Sequence, residues 1–112
     1  MGLTKKEAFE RKQNDIAAYA KAIAHPARVA ILQYLLTTKQ CTCGDLVDAL
    51  PLAQSTVSQH LTELKNVEII QGRVDGTSMY YTINSKVWKT AFVTIRELFE
   101  TYNFTIFDQL ES

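Results

Sequence analysis

The sequence predicts a mainly α-helical domain carrying one small β-hairpin, and three observations predict it. Residues 51–65, PLAQSTVSQHLTELK, have helical periodicity with an unusual polar face. A shorter helix and a proline-enforced turn lead into them. Two β-branched and aromatic runs, separated by Asp75-Gly76-Thr77, follow directly. A chain of 112 residues supports one small core, and 46% hydrophobic residues suit a globular protein. The whole chain, residues 1–112, is therefore read as a single domain.

The first helix is expected over about residues 5–24, where Ile16, Tyr19, Ala20 and Ile23 share one side. The short helix begins after Thr42. Thr42-Cys43-Gly44-Asp45 has the T-x-x-D form of an N-terminal cap, with Thr42 accepting from the backbone and Asp45 in the first turn. Leu46, Val47 and Leu50 give this helix its apolar face. Pro51 cannot continue it, so residues 50–53 make a turn and the chain re-enters a helix near Gln54. There Val57, Leu61 and Leu64 recur at i, i+4 and i+7, one narrow stripe for a core.

The opposite face of that helix carries Ser55, Ser58, Gln59 and Thr62, flanked by Gln54, Thr56 and His60. Short or planar hydrogen-bonders of this kind can reach base edges and phosphates in a major groove. A merely solvated face would more often pair Glu with Lys. Two short helices with a tight turn, the second polar outward, make a helix-turn-helix over about residues 43–65.

Residues 68–74 and 78–83 are the strands of a hairpin, because Gly76 supplies the positive φ its turn requires. Met79, Tyr81 and Ile83 alternate with Tyr80 and Thr82, so one face of the second strand can lie on the helices. Arg73, the only cation in the hairpin, and Thr77 are candidates to hold a nucleic-acid backbone. A hairpin at about residues 69–83, directly after a helix-turn-helix, makes a winged helix. From Ser85 onward, Trp88, Ala91, Phe92, Ile95, Leu98, Phe99 and Tyr102 mark a helix over about residues 85–102. Its stripe could be simple core. The preferred reading pairs the first and last helices with their mates in a two-fold dimer, because so small a domain has little core to cover them.

Twelve basic and twelve acidic residues cancel, whereas many DNA-binding domains are plainly basic. Residues 51–84 hold Lys65 and Arg73 against Glu63, Glu68 and Asp75, and the cations gather instead at Lys5, Lys6, Arg11, Lys12, Lys21 and Arg28. Either affinity for DNA is modest and salt-sensitive, or two copies act together. Neutrality also suits the alternative, a winged helix that binds a protein partner rather than DNA. A redox enzyme using C-x-C is set aside, since no parallel-strand pattern precedes Cys41. No run approaches the roughly 20 apolar residues that span a bilayer, so no membrane partner is expected. MGLTKKEAFERK lacks the apolar centre of a signal peptide. With two cysteines one residue apart, the expected compartment is the cytoplasm.

Three stretches carry a resemblance to a family: AIAHPARVAILQYLL (residues 22–36), DLVDALPLAQSTVSQHLTELK (45–65) and IIQGRVDGTSMYYTI (69–83). With the His-Pro-x-Arg start at His25 to Arg28 and the S-x-H-L element at Ser58 to Leu61, the chain resembles the ArsR/SmtB-type winged-helix repressors of bacteria. The resemblance runs from about Ile16 to Tyr102. It implies a homodimeric repressor bound to an inverted-repeat operator on double-stranded DNA, its two recognition helices in successive major grooves. It also implies release by an inducer, typically a metal or metalloid ion or a thiol-reactive compound.

The chain departs from the family pattern in three places. Glu68 stands where the family usually has Gly, so a left-handed backbone there would be strained. Ala53 stands where Ser often caps the recognition helix. Gly44 intervenes between Cys43 and Asp45-Leu46, which shifts the C-x-C element by one position. Cys41 and Cys43 are the candidate sensor, for a metalloid or metal ion or for oxidation, with Cys43 at a helix N-terminus that favours a thiolate. The other reading makes them ordinary small residues ahead of a helix. No cofactor is certain: the chain has no third cysteine, and residues 84–112 contain no histidine.

Overall fold

The computed structural model describes residues 7–102. Their elements run in order α1 (Arg11–Ala22), α2 (Pro26–Thr38), β1 (Gln40–Cys41), α3 (Cys43–Ala49), α4 (Gln54–Asn66), β2 (Ile70–Asp75), β3 (Ser78–Ile83) and α5 (Ser85–Glu100). The architecture is a winged helix: mostly helical, with one small antiparallel sheet.

Helix α1 is shorter than its periodicity suggested. It begins at Arg11, after Glu10, whose backbone N–H donates to Gln13 Oε1 at 3.0 Å. The part of the expected helix before residue 7 lies outside the described residues. Ala22 is buried while Ala20 is exposed, so Ala20 does not belong to the inward side. That side is centred on Tyr19, Ala22 and Ile23, because α1 meets the core through its C-terminal turn and otherwise lies along α5. In α2, Pro26 takes a first-turn position that needs no N–H donor, and Ile31, Leu32 and Leu35 face inward.

The turn chemistry of α3 is as the sequence suggests. Thr42 Oγ1 accepts from the Asp45 backbone at 3.1 Å, and an Asp45 carboxylate oxygen accepts from the Thr42 backbone at 2.9 Å. The chain leaves α3 at Leu50 and enters α4 after Ala53, which offers no side-chain cap. Val57, Leu61 and Leu64 are all essentially inaccessible to solvent. They pack with Ile31, Leu35, Leu46, Ile69 and Ile70 into one core.

The sheet differs from the expected hairpin in three details. Strand β2 begins at Ile70 rather than at residue 68, because Glu68 and Ile69 are still turning out of α4. Asp75 pairs with Ser78 rather than lying in the loop, which leaves a two-residue turn, Gly76-Thr77. Gly76 has φ 64°, the geometry that a glycine-first hairpin turn needs. A third strand, β1, pairs with β3 through Gln40–Thr82 and Cys41–Tyr81, giving the order β1-β3-β2. Two residues without periodicity left no trace of it in the sequence. Helix α5 starts from Asn84, whose Oδ1 accepts from the Val87 backbone at 3.3 Å, and it ends at Glu100 rather than at residue 102.

Glu68, between α4 and β2, has φ 63°. Left-handed backbone costs an ordinary residue about 1–2 kcal/mol, against a chain-entropy cost for glycine of about 0.5–1 kcal/mol. Glu68→Gly is therefore expected to stabilise the fold by up to about 1 kcal/mol. A rise in the urea midpoint at unchanged slope is the measurement, and a fall would show that the Glu68 side chain contributes more than its backbone costs.

Candidate nucleic-acid interface

Burial of Val57, Leu61 and Leu64 fixes the rotation of α4, and that rotation decides which side chains face outward. Gln54, Ser55, Ser58, Gln59 and Thr62 are exposed, while Thr56 and His60 are half-buried on the flanks. Thr62 is less free than its exposure implies, since its hydroxyl donates to the Ser58 carbonyl at 3.0 Å. Because Ala53 caps nothing, the first turn of α4 keeps backbone N–H groups available to an anion. Arg73 and Thr77 are exposed on the wing, and Arg73 lies opposite Tyr80 in the ladder. These are the solvent-accessible polar positions of α4 and the hairpin.

His60 behaves differently from its neighbours on α4. Its Nδ1 accepts a hydrogen bond from Arg28 Nε at 3.0 Å, and its ring lies 5.7 Å from that of His25, tilted by 47°. Burial, then the Arg28 guanidinium and His25, hold its pKa below the ordinary histidine value of 6.5. His25 occupies the N-cap position of α2, but its side chain makes no capping bond. Arg28, counted in the sequence among the cations outside the reading head, is withdrawn from solvent. It is 9% exposed, and its Nη1 donates to the Ala22 carbonyl at 3.2 Å. The sequence singled out both His-Pro-x-Arg and S-x-H-L, but nothing in either motif shows that they meet.

The two cysteines have different surroundings. Cys41 is 1% exposed, locked into the sheet opposite Tyr81. Burial, with help from Asp45 and Cys43, pushes its thiol up to about 11. Cys43, the first residue of α3, is half-buried and free. Tyr81 feels both sulfurs, and burial with these neighbours raises its phenol above 10.0. Among the described residues no three His, Cys, Asp or Glu side chains gather to hold a metal ion. Two sulfurs, one of them in the core, do not by themselves fit a zinc or metalloid site.

Away from this surface, α1 and α5 frame an apolar groove of about 380 Å³ lined by Tyr19, Ile23, Trp88, Phe92, Ile95 and Phe99 among others. Lys12 and Glu97 form an ion pair across the same two helices. Along α5, Phe92 is 55% and Phe99 70% exposed, with Leu98 also outward. No described helix is long and apolar enough to cross a membrane.

A histidine held neutral in the fold and free to protonate when unfolded binds more protons in the unfolded state. Stability linked to His60 is therefore intact above about pH 6.5 and is lost as pH falls from there through its lower folded value. Thermal melts of the wild type and of His60→Asn, which cannot titrate, should diverge only below about pH 6.5. Parallel curves down to about pH 5 would contradict that linkage.

Comparison with known proteins agrees with this geometry. The family model described as bacterial regulatory protein, arsR family, matches residues 25–71. The transcriptional repressor PagR of Bacillus anthracis is 35% identical over 71 residues, 63% of this chain and 71% of PagR. The transcriptional repressor SdpR of Bacillus subtilis is 36% identical over 67 residues, 60% of this chain and 73% of SdpR. Among solved structures, PagR superposes with a TM-score of 0.61 at 33% identity, covering 72% of this chain and 93% of that one. HlyU from Vibrio cholerae gives 0.65 at 29% identity, covering 84% and 98%. The family match spans the start of α2, the helix-turn-helix and the entry to the wing, and on these grounds the chain belongs to the arsR family of bacterial regulatory proteins.

Proposed function

We propose that this DNA-binding regulator is a homodimeric repressor that reads an inverted-repeat operator with α4 and is released from it by a thiol-reactive inducer. The observation that carries the reading is the division of α4. Its three stripe residues are fully buried, and its remaining middle positions are uncharged hydrogen-bonders facing solvent. Gln54, Ser55, Thr56, Ser58, Gln59, His60 and Thr62 supply base and phosphate contacts, and Arg73 and Thr77 hold backbone from the wing. Gln59 is the best base reader, since its amide can bond adenine at two points.

Two copies answer the charge problem. One reading head without net positive charge gains little from phosphate attraction, whereas two on one scaffold gain from effective concentration. The exposed Phe92, Leu98 and Phe99 beside the apolar groove support a dimer through α1 and α5, because such a patch on a small domain is normally covered. The inducer is the finer point. Of a metal, a metalloid and a thiol-reactive compound, the last has the best support, since Cys43 is the half-exposed thiol and opens a helix packed on α4. A tenfold loss of operator affinity needs only about 1.4 kcal/mol of differential binding.

Fluorescence anisotropy with a duplex from the gene's own upstream region tests the DNA reading. Gln59→Ala should cost about 1–3 kcal/mol and relax sequence preference, whereas Arg73→Ala should weaken all duplexes alike and flatten the salt slope by about one. No binding to any duplex, with capture of a folded protein instead, would favour the protein-partner alternative. In light scattering the wild type should be a dimer and Phe99→Glu should shift it towards monomer; a wild-type monomer at micromolar concentration would remove the two-fold reading. Cys43→Ser should abolish release by peroxide, and release that persists in Cys43→Ser would take the sensor elsewhere.

A further inference from the structure

The part-buried contact between Arg28 and His60 joins two stretches 32 residues apart, and its chemistry runs in one direction only. An arginine Nε always carries a proton and cannot accept. His60 Nδ1, 3.0 Å away, must therefore present its lone pair. A neutral imidazole has one N–H, so the proton sits on Nε2. Protonating Nδ1 as well would set an N–H against the guanidinium and add a second positive charge beside Arg28. Burial and Arg28 act together against that charge.

His60 Nε2 is the free end of this arrangement. Every buried side-chain nitrogen and oxygen of the described residues has a partner, and among the described residues the hydrogen bond of the His60 ring is the one from Arg28. Nε2 is therefore not sealed in the core but reaches solvent, on the flank of α4 next to Gln59. Arg28 itself cannot swing away to serve as a phosphate contact. It is 9% exposed, and its Nη1 is committed to the last carbonyl of α1, that of Ala22, at 3.2 Å.

We propose that Arg28 is a positioning residue that sets the hydrogen-bond polarity of the reading head, holding His60 in the tautomer whose Nε2–H is offered to an acceptor on DNA. The proposal rests on the DNA-binding reading above. Its acceptor is a phosphate oxygen or a purine N7, both of which take a single N–H. A freely tautomerising histidine would spend part of its time with a lone pair facing the DNA, where it would repel both. Arg28 removes that state without touching DNA.

Nitrogen-15 NMR of the wild-type imidazoles reads the tautomer directly and needs no DNA. His60 should show a pyridine-type Nδ1 and a protonated Nε2; a protonated Nδ1 in the folded protein would overturn the proposal. Two substitutions then separate the ends of the ring. His60→Asn leaves an amide near Nδ1 and nothing at Nε2, and His60→Gln extends an amide to where Nε2 stood. His60→Asn should melt close to wild type yet bind operator about five- to tenfold more weakly, while His60→Gln recovers most of that loss. Operator affinity unchanged in a folded His60→Asn would overturn the donor role while leaving DNA binding intact. Failure of the wild type to bind any duplex would instead overturn the reading on which the role depends. An equal loss on operator and unrelated duplexes identifies the acceptor as phosphate, and a loss confined to the operator identifies a base; either supports the donor.

Discussion

The guanidinium of Arg28 is the buried charge among the described residues, and three helices meet at it. One nitrogen donates to the end of α1 and another to His60 on α4, while its own backbone belongs to the first turn of α2. A charge withdrawn from water must have its donors satisfied, or the desolvation cost falls on the fold. The position of α4 relative to α1 and α2 is thus specified by a directional bond as well as by packing. The leucine stripe sets the depth of α4, and the Arg28 bond limits how far it can roll.

That division of labour explains how a neutral domain can read DNA. The stripe of Val57, Leu61 and Leu64 is narrow, three buried side chains on a helix of 13 residues. The rest of the surface is left to side chains that bond rather than attract. Ser and Thr contribute little helix propensity, and Ala53 provides no cap, so α4 depends on its tertiary contacts to remain helical. Both α3, beside it, and β2, which follows Glu68, press on its buried side. A change at Cys43 therefore has a short path to α4: one turn of a seven-residue helix.

The parts of this fold that were legible in the sequence are those with a local physical cause. Thr42 and Asp45 closed their capping box, Pro51 ended α3, Gly76 turned the hairpin, and the stripe of α4 was buried as its period required. The positive φ at Glu68 was legible too, from the family's glycine at that place. What could not be read depends on distant partners. Strand β1 is two residues long and exists only because β3 has a free edge. The burial of Arg28 was not legible, because it depends on Ala22 and His60 being placed around it. Cys43 was set apart in sequence by its place at a helix start, but the burial of Cys41 was not legible, because it comes from pairing in the sheet.

The proposed pairing of two reading heads in a dimer makes a statement about distances along DNA, and hydroxyl-radical footprinting of the protein on its own upstream region tests it most directly. Two protected segments of inverted sequence should appear, centred about 34 Å or one helical turn apart, each matching one α4 in a major groove. A single protected segment, or uniform weak protection that vanishes with modest salt, would contradict the account.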